Sequence, residues 1–119
     1  MITAEEILAK AADLVEEGWC QGRLWTWRYV NSEFQHGDRC ALGALYDAAG
    51  IRLNSMQNGF VRATITPAAE AAYRAICREI GRDVHSGTKG QGPIADWNNE
   101  PERDQMEVAT TLRNAKRWL

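Results

Sequence analysis

The sequence predicts a mainly helical domain with about four principal helices and one small antiparallel β-hairpin, an α+β fold. An all-α bundle without the hairpin is the alternative. Three observations carry this expectation. Apolar residues recur at helical spacing in four stretches, three of which end at a glycine. Trp25, Trp27 and Tyr29 alternate with Thr26 and Arg28, which is the period of a strand. The 119 residues are 45% hydrophobic and 25% charged, which suits one domain spanning 1–119 that folds without a metal or disulfides.

The first helix has the clearest local signals. Thr3 is a good N-cap, and Glu6 stands at the third helical position to complete a capping box. Ile7, Leu8, Ala11, Leu14 and Val15 make one buried face, and Gly18 is expected to end the helix in the left-handed conformation. The aromatic strand follows, and 31–37 reads as a loop. Asp38 is expected to cap a helix from Arg39 to Ala49, closed by Gly50. Cys40 then falls in its first turn, and Ala41, Gly43, Ala44, Ala48 and Ala49 leave room for a close neighbour.

Asn58-Gly59 is a turn signal, and Phe60 to Ile65 alternates as a second short strand, a partner for the one at Trp25. Thr66-Pro67 opens the third helix, since proline at the first position loses no hydrogen bond. Ala69, Ala72, Tyr73, Ile76 and Ile80 are its buried face, and Gly81 ends it. A polar, glycine-rich loop is expected over 82–93. The last helix runs from about Glu102 to Leu119, with Met106, Ala109, Leu112, Ala115 and Leu119 inward. Asp104 to Glu107 offers a second, later capping box.

Charge and cysteine usage narrow the function classes. A net charge of -2 without a basic block argues against a nucleic-acid-coating protein. Met1 to Glu6 is acidic where a secretory signal is basic, and no apolar run approaches the roughly 20 residues that span a bilayer. Three widely spaced cysteines without a CxxC support neither a disulfide framework nor a zinc site. Reduced thiols in a cytoplasm, with no metal and no cofactor, are the expectation.

Four groups of residues are chemical candidates. Cys40 at a helix start, beside Arg39, has the setting of a lowered thiol pKa. His36 or His85 would serve as its base, oriented by Asp96 or Asn98, in a thiol-dependent hydrolase or transferase. The plainer reading buries Cys40 as a small, inert core residue, and it is preferred. Gly87 to Gly92 is a glycine loop of the kind that cradles phosphate, but it lacks the Walker order and reads first as a connector. Trp19 and Trp97 sit beside polar side chains and read as structural anchors. Trp25, Trp27 and Tyr29, with Arg23 and Arg28 nearby, form either a contact surface or part of the core under the first helix. Arg113, Lys116 and Arg117 suit the negative end of the last helix and read as a solvated face.

The run Gly18-Trp19-Cys20-Gln21-Gly22, then Cys40-Ala41-Leu42-Gly43-Ala44-Leu45, then Asp96-Trp97-Asn98-Asn99, resembles a family of small proteins of uncharacterised activity found in actinobacteria and bacteriophages. The family pattern reads G-W-x-Q-G, C-A-L-G-A-L and W-N-D. Asn99 stands at the aspartate of that pattern, which fits a helix cap that asparagine can replace. The resemblance implies an accessory protein and transfers no catalytic residue. The leading expectation is a small cytoplasmic protein-binding module, such as a phage-encoded modulator of a host process. A Cys40 enzyme and a nucleic-acid-binding protein using the aromatic strand are the alternatives.

Overall fold

The computed structural model of the chain describes residues 2–51, 66–86 and 92–119. Among these the order is α1 (Ala4–Glu17), β1 (Trp25–Val30), β2 (Glu33–Arg39), α2 (Ala41–Ala48), α3 (Pro67–Glu79), α4 (Gly92–Asn98), α5 (Gln105–Asn114) and a terminal 3-10 helix, Ala115–Trp118. Among the described residues the fold is mainly helical with one two-stranded antiparallel sheet. The Asn58-Gly59 turn, the strand expected at Phe60 to Ile65 and most of the glycine loop lie outside the described residues. No described helix is long and apolar enough to cross a membrane.

α1 is the central element and packs against α2, α3 and α5. Its capping box forms as expected: Thr3 accepts from the Glu6 N–H at 3.1 Å, and Glu6 accepts from the Thr3 N–H. Ile7, Leu8, Ala11, Ala12 and Val15 are buried, and they meet Leu42, Leu45, Ile76, Ile94, Val108 and Leu112 in one core. Gly18 does not turn left-handed. It is extended, with φ -177°, and the segment after α1 runs alongside β2. Gly50 and Gly81 do take positive φ, at 72° and 70°, and end α2 and α3 as expected.

Among the described residues the partner of β1 is a segment expected to be loop. β1 pairs with β2, so residues 33–37 are strand rather than loop. Asn31 and Ser32 form the two-residue connection, with φ of 50° and 65°. Positive φ at both positions is the requirement of a type I′ hairpin turn, and asparagine tolerates it well. Glu33, Gln35 and Gly37 carry little intrinsic β preference, so composition alone hides this strand. A bulge separates the Trp25–Arg39 and Trp27–His36 pairs. There the freed Asp38 N–H donates to Thr26 Oγ1 at 2.8 Å, which satisfies the group that the ladder leaves over.

α2 begins two residues later than expected. β2 persists through Arg39, whose N–H donates to the Gly18 carbonyl and whose carbonyl accepts from the Cys20 N–H. Cys40 is therefore the N-cap, still extended, and Asp38 is not. Gly43 is required because an added Cβ would stand 2.1 Å from the Leu24 carbonyl oxygen. A short helix, α4, begins in the last two residues of the region expected to be loop and runs on to Asn98.

The last helix starts at Gln105 on the later capping signal, with Asp104 Oδ1 accepting from the Glu107 N–H at 2.8 Å. Val108, Ala109, Leu112 and Ala115 face inward. Met106 and Leu119 do not, being 74% and 52% exposed. Met106 lies in the first turn of α5, and Leu119 lies beyond the 3-10 turn, so neither reaches the core. Arg113 bridges α5 to α1 through Asp13 and Glu16, and Arg117 pairs with Glu79 of α3. These two cations tie helices together instead of forming a free basic face.

Candidate functional site

The sequence motifs converge on one buried side chain, Asn98, at the end of α4. It is fully buried. Its Oδ1 accepts from Trp19 Nε1 at 2.8 Å and from the Ala41 N–H, the first of α2, at 3.0 Å. Its Nδ2 donates to the Cys20 carbonyl and to Asn99 Oδ1, both at 3.1 Å. Every acceptor and donor of the amide is thus used. Around it, Gln21 Nε2 donates to the carbonyls of Asn98 and Glu100, and the Gly22 N–H donates to Asn99 Oδ1 at 2.8 Å. Asn99 is not the N-cap of the last helix, which is Asp104. The Asn99 oxygen receives two donors, a role that an aspartate would fill equally well.

Trp97 is buried, 5% exposed, with the Arg103 guanidinium 4.5 Å above its ring. Arg103 Nε also donates to the Trp97 carbonyl at 3.1 Å, and the guanidinium pairs with Glu100 and Glu107. Asp96 lies on α4, half-buried. Trp19, Trp97 and Asn98 therefore close the junction between the start of the hairpin segment, α2 and α4.

Cys40 is buried, and its Sγ accepts from the Gly43 N–H at 3.3 Å. Burial pushes its thiol up to about 11, and the weaker help of the helix N–H groups does not reverse this. Neither histidine serves it as a hydrogen-bond partner among the described residues. His36 is held instead by Asp47 of α2, its Nδ1 lying 2.7 Å and 2.9 Å from the two carboxylate oxygens. His85 is exposed, beside a cleft lined by Leu45, Tyr46, Tyr73 and Val84. The constellation drawn around Cys40 from sequence is not assembled.

The aromatic strand is assembled, and it is larger than its sequence indicated. Trp25, Trp27 and Tyr29 share one face of β1, and register brings His36 opposite Trp27 and Phe34 opposite Tyr29. At the base, Trp25 stacks on His36 with centroids 3.8 Å apart and planes 15° apart. Arg39 Nε donates to Asp47 as well, so His36 and Arg39 clamp β2 onto α2. Beyond this clamp the hairpin is open. Trp27, Tyr29 and Phe34 are 55%, 64% and 72% exposed. Trp27 and Phe34 meet edge to face at 6.4 Å, and Tyr29 and Phe34 at 5.1 Å.

Arg23 and Arg28 are both exposed. Arg28 alternates to the other face of β1, where its Cγ lies near Gly37. Phe34 was not legible as a site residue, because only the Asn31-Ser32 turn places it beside the rings. Asp47 was hidden for a similar reason. Its partners sit 8 and 11 positions earlier, on another element.

A family comparison matches residues 1–117. The chain belongs to a family of unknown function, DUF6197. No curated protein and no solved structure matches it. The match covers all of the elements just described up to the final turn of this DUF6197 protein, including the Asn98 junction and the aromatic hairpin.

Proposed function

We propose that this chain is a small protein-binding module without chemistry of its own, and that the outer half of the β1–β2 hairpin is its contact surface. One observation carries the reading. Three large aromatic side chains stand exposed together on one face of the hairpin, while the other motif residues spend their polar groups inside the fold. Clustered, exposed aromatic rings are the material of interface hot spots. Three free thiols suit a reducing cytoplasm, and an accessory role in a phage or its host is the setting that the family resemblance suggests.

Binding rather than thiol catalysis is favoured because the Cys40 thiol is buried and raised in pKa, the opposite of an activated nucleophile. The test is a Trp27→Ala, Phe34→Ala double variant. It should stay folded by circular dichroism and lose no more than about 1–2 kcal/mol, the worth of its cross-strand pairs. It should also lose the partner that the parent chain recovers from a host lysate. Global unfolding of the variant would show that the rings are structural, and the reading would then be wrong.

A further inference from the structure

Two of the three thiols lie side by side where the hairpin leaves the helical core. We infer that Cys20 and Cys40 are a redox-sensitive pair, which an oxidant joins into a reversible disulfide across the base of the hairpin. Backbone pairing supplies the geometry. Trp19 and Arg39 form a parallel bridge, and the Cys20 N–H donates to the Arg39 carbonyl at 3.2 Å. The next residues along the two segments are Cys20 and Cys40. Cys40 is still extended, with φ -78° and ψ 174°. Paired extended segments run about 4.7–4.9 Å apart, and paired residues turn to the same side. Disulfides span Cα separations of about 4.4–6.8 Å, so the backbone already stands within bridging range.

Both thiols also converge on one turn. The Cys20 thiol donates to the Arg23 carbonyl at 3.6 Å, and the Cys40 N–H donates to the next carbonyl, that of Leu24, at 2.9 Å. The same Leu24 carbonyl abuts Gly43, whose N–H donates to Cys40 Sγ. Charge on Cys20 is felt at Cys40. Cys77 sits apart on α3, where Asp83 and Arg74 are the charges that act on it.

Cys20 is half-exposed and Cys40 is buried, which orders the chemistry. With a hydroperoxide as oxidant, the Cys20 thiolate attacks one peroxide oxygen. The S–O bond forms, the O–O bond breaks, and the other oxygen leaves as water or an alcohol. The Cys40 sulfur then attacks the Cys20 sulfur. The S–S bond forms, the S–O bond breaks, and the hydroxyl leaves as water with the Cys40 proton. The two sulfurs together give two electrons and two protons to the peroxide, and a dithiol reverses the bond by exchange. Burial and the Asp38 carboxylate hold the Cys20 thiol above its ordinary value, against Arg23, and burial pushes Cys40 up to about 11. Thiolate is therefore scarce at neutral pH, so the pair answers sustained oxidant and not traces. The bond encloses β1 and β2 in one covalent loop and fastens the two ends of the hairpin together without the Asp47 clamp.

The full-length chain is treated with hydrogen peroxide, unfolded and alkylated, digested without reductant and read by mass spectrometry. A linked Cys20–Cys40 peptide is expected, lighter by two hydrogens than its parts and separated again by dithiothreitol. Cys20→Ser and Cys40→Ser should each abolish it, and Cys77→Ser should not. Linkage should quicken as pH rises and thiolate accumulates. In the linked form, amide exchange over 25–39 should slow by at least about tenfold, with a higher urea midpoint. Cys20 carried on to its sulfinic acid, or joined to a second chain, with Cys40 still reduced, overturns the pairing. A linked form whose exchange over 25–39 is no slower than that of the reduced chain overturns the fastening of the hairpin.

Discussion

At the scale of single residues, Asn98 decides more than its size suggests. One amide oxygen satisfies an indole N–H and the first backbone N–H of α2. The same side chain satisfies the Cys20 carbonyl through its nitrogen. Asn98→Ala leaves these groups without partners in a site that water scarcely reaches. We expect a loss of about 2–4 kcal/mol in urea denaturation, since each stranded buried group costs about 1–3 kcal/mol. A loss under about 0.5 kcal/mol, the usual effect of a surface change, would mean that the junction is not a structural lock. Asn99→Asp should differ little from the parent, because both donors at its oxygen find an acceptor. Thiol labelling of the native chain should reach Cys20 first, as the one half-exposed thiol, and leave Cys40 and Cys77 until unfolding. Early modification of Cys40 would contradict its burial.

Elements in this fold are held by a few cross-connections. The hairpin is too small to stand alone, as two strands without further packing are marginal in water. Its base is secured where His36 and Arg39 share the Asp47 carboxylate, and where the Gly18–Cys20 segment pairs with Arg39. Asp47→Asn keeps the volume and removes the charge. The expected result is a loss on the order of 1–3 kcal/mol, the range for charged hydrogen bonds. Amide exchange should quicken over 33–39 before it changes in α1 or α5. Unchanged exchange in β2 would show that Trp25 stacking and the backbone bridges suffice.

For the whole molecule, burial of the two inner thiols predicts an alkaline limit. Burial raises Cys40 and Cys77 each to about 11, from an ordinary value of 9.0. Folding therefore favours the protonated form. The associated stability is complete below about pH 9 and declines as pH rises through the interval to 11. Urea midpoints taken across that interval should fall. Cys40→Ser, which retains an N-cap acceptor but no thiol to ionise, should flatten the decline. An identical decline in the variant would assign it to other groups.

Local signals in the chain were enough for several features. The Thr3–Glu6 capping box, proline at the start of α3, the helix ends at Gly50 and Gly81, and the common face of Trp25, Trp27 and Tyr29 all form as read. These depend on neighbours within one turn or one strand, so sequence spacing alone contains them. What only the tertiary structure decided involves distant partners. Strand β2 is defined by register with β1, not by its own composition, and that register brings in Phe34 and extends the chain through Arg39. This extension moves the cap of α2 from Asp38 to Cys40. Asn98 gathers groups 57 and 79 positions away in the chain. Met106 fits a helical period yet is exposed, because period specifies a face but not where the neighbouring helix ends. The sequence alone determined which segments could be amphipathic or capped. Burial and long-range hydrogen bonding determined which polar groups became structure and which rings remained exposed.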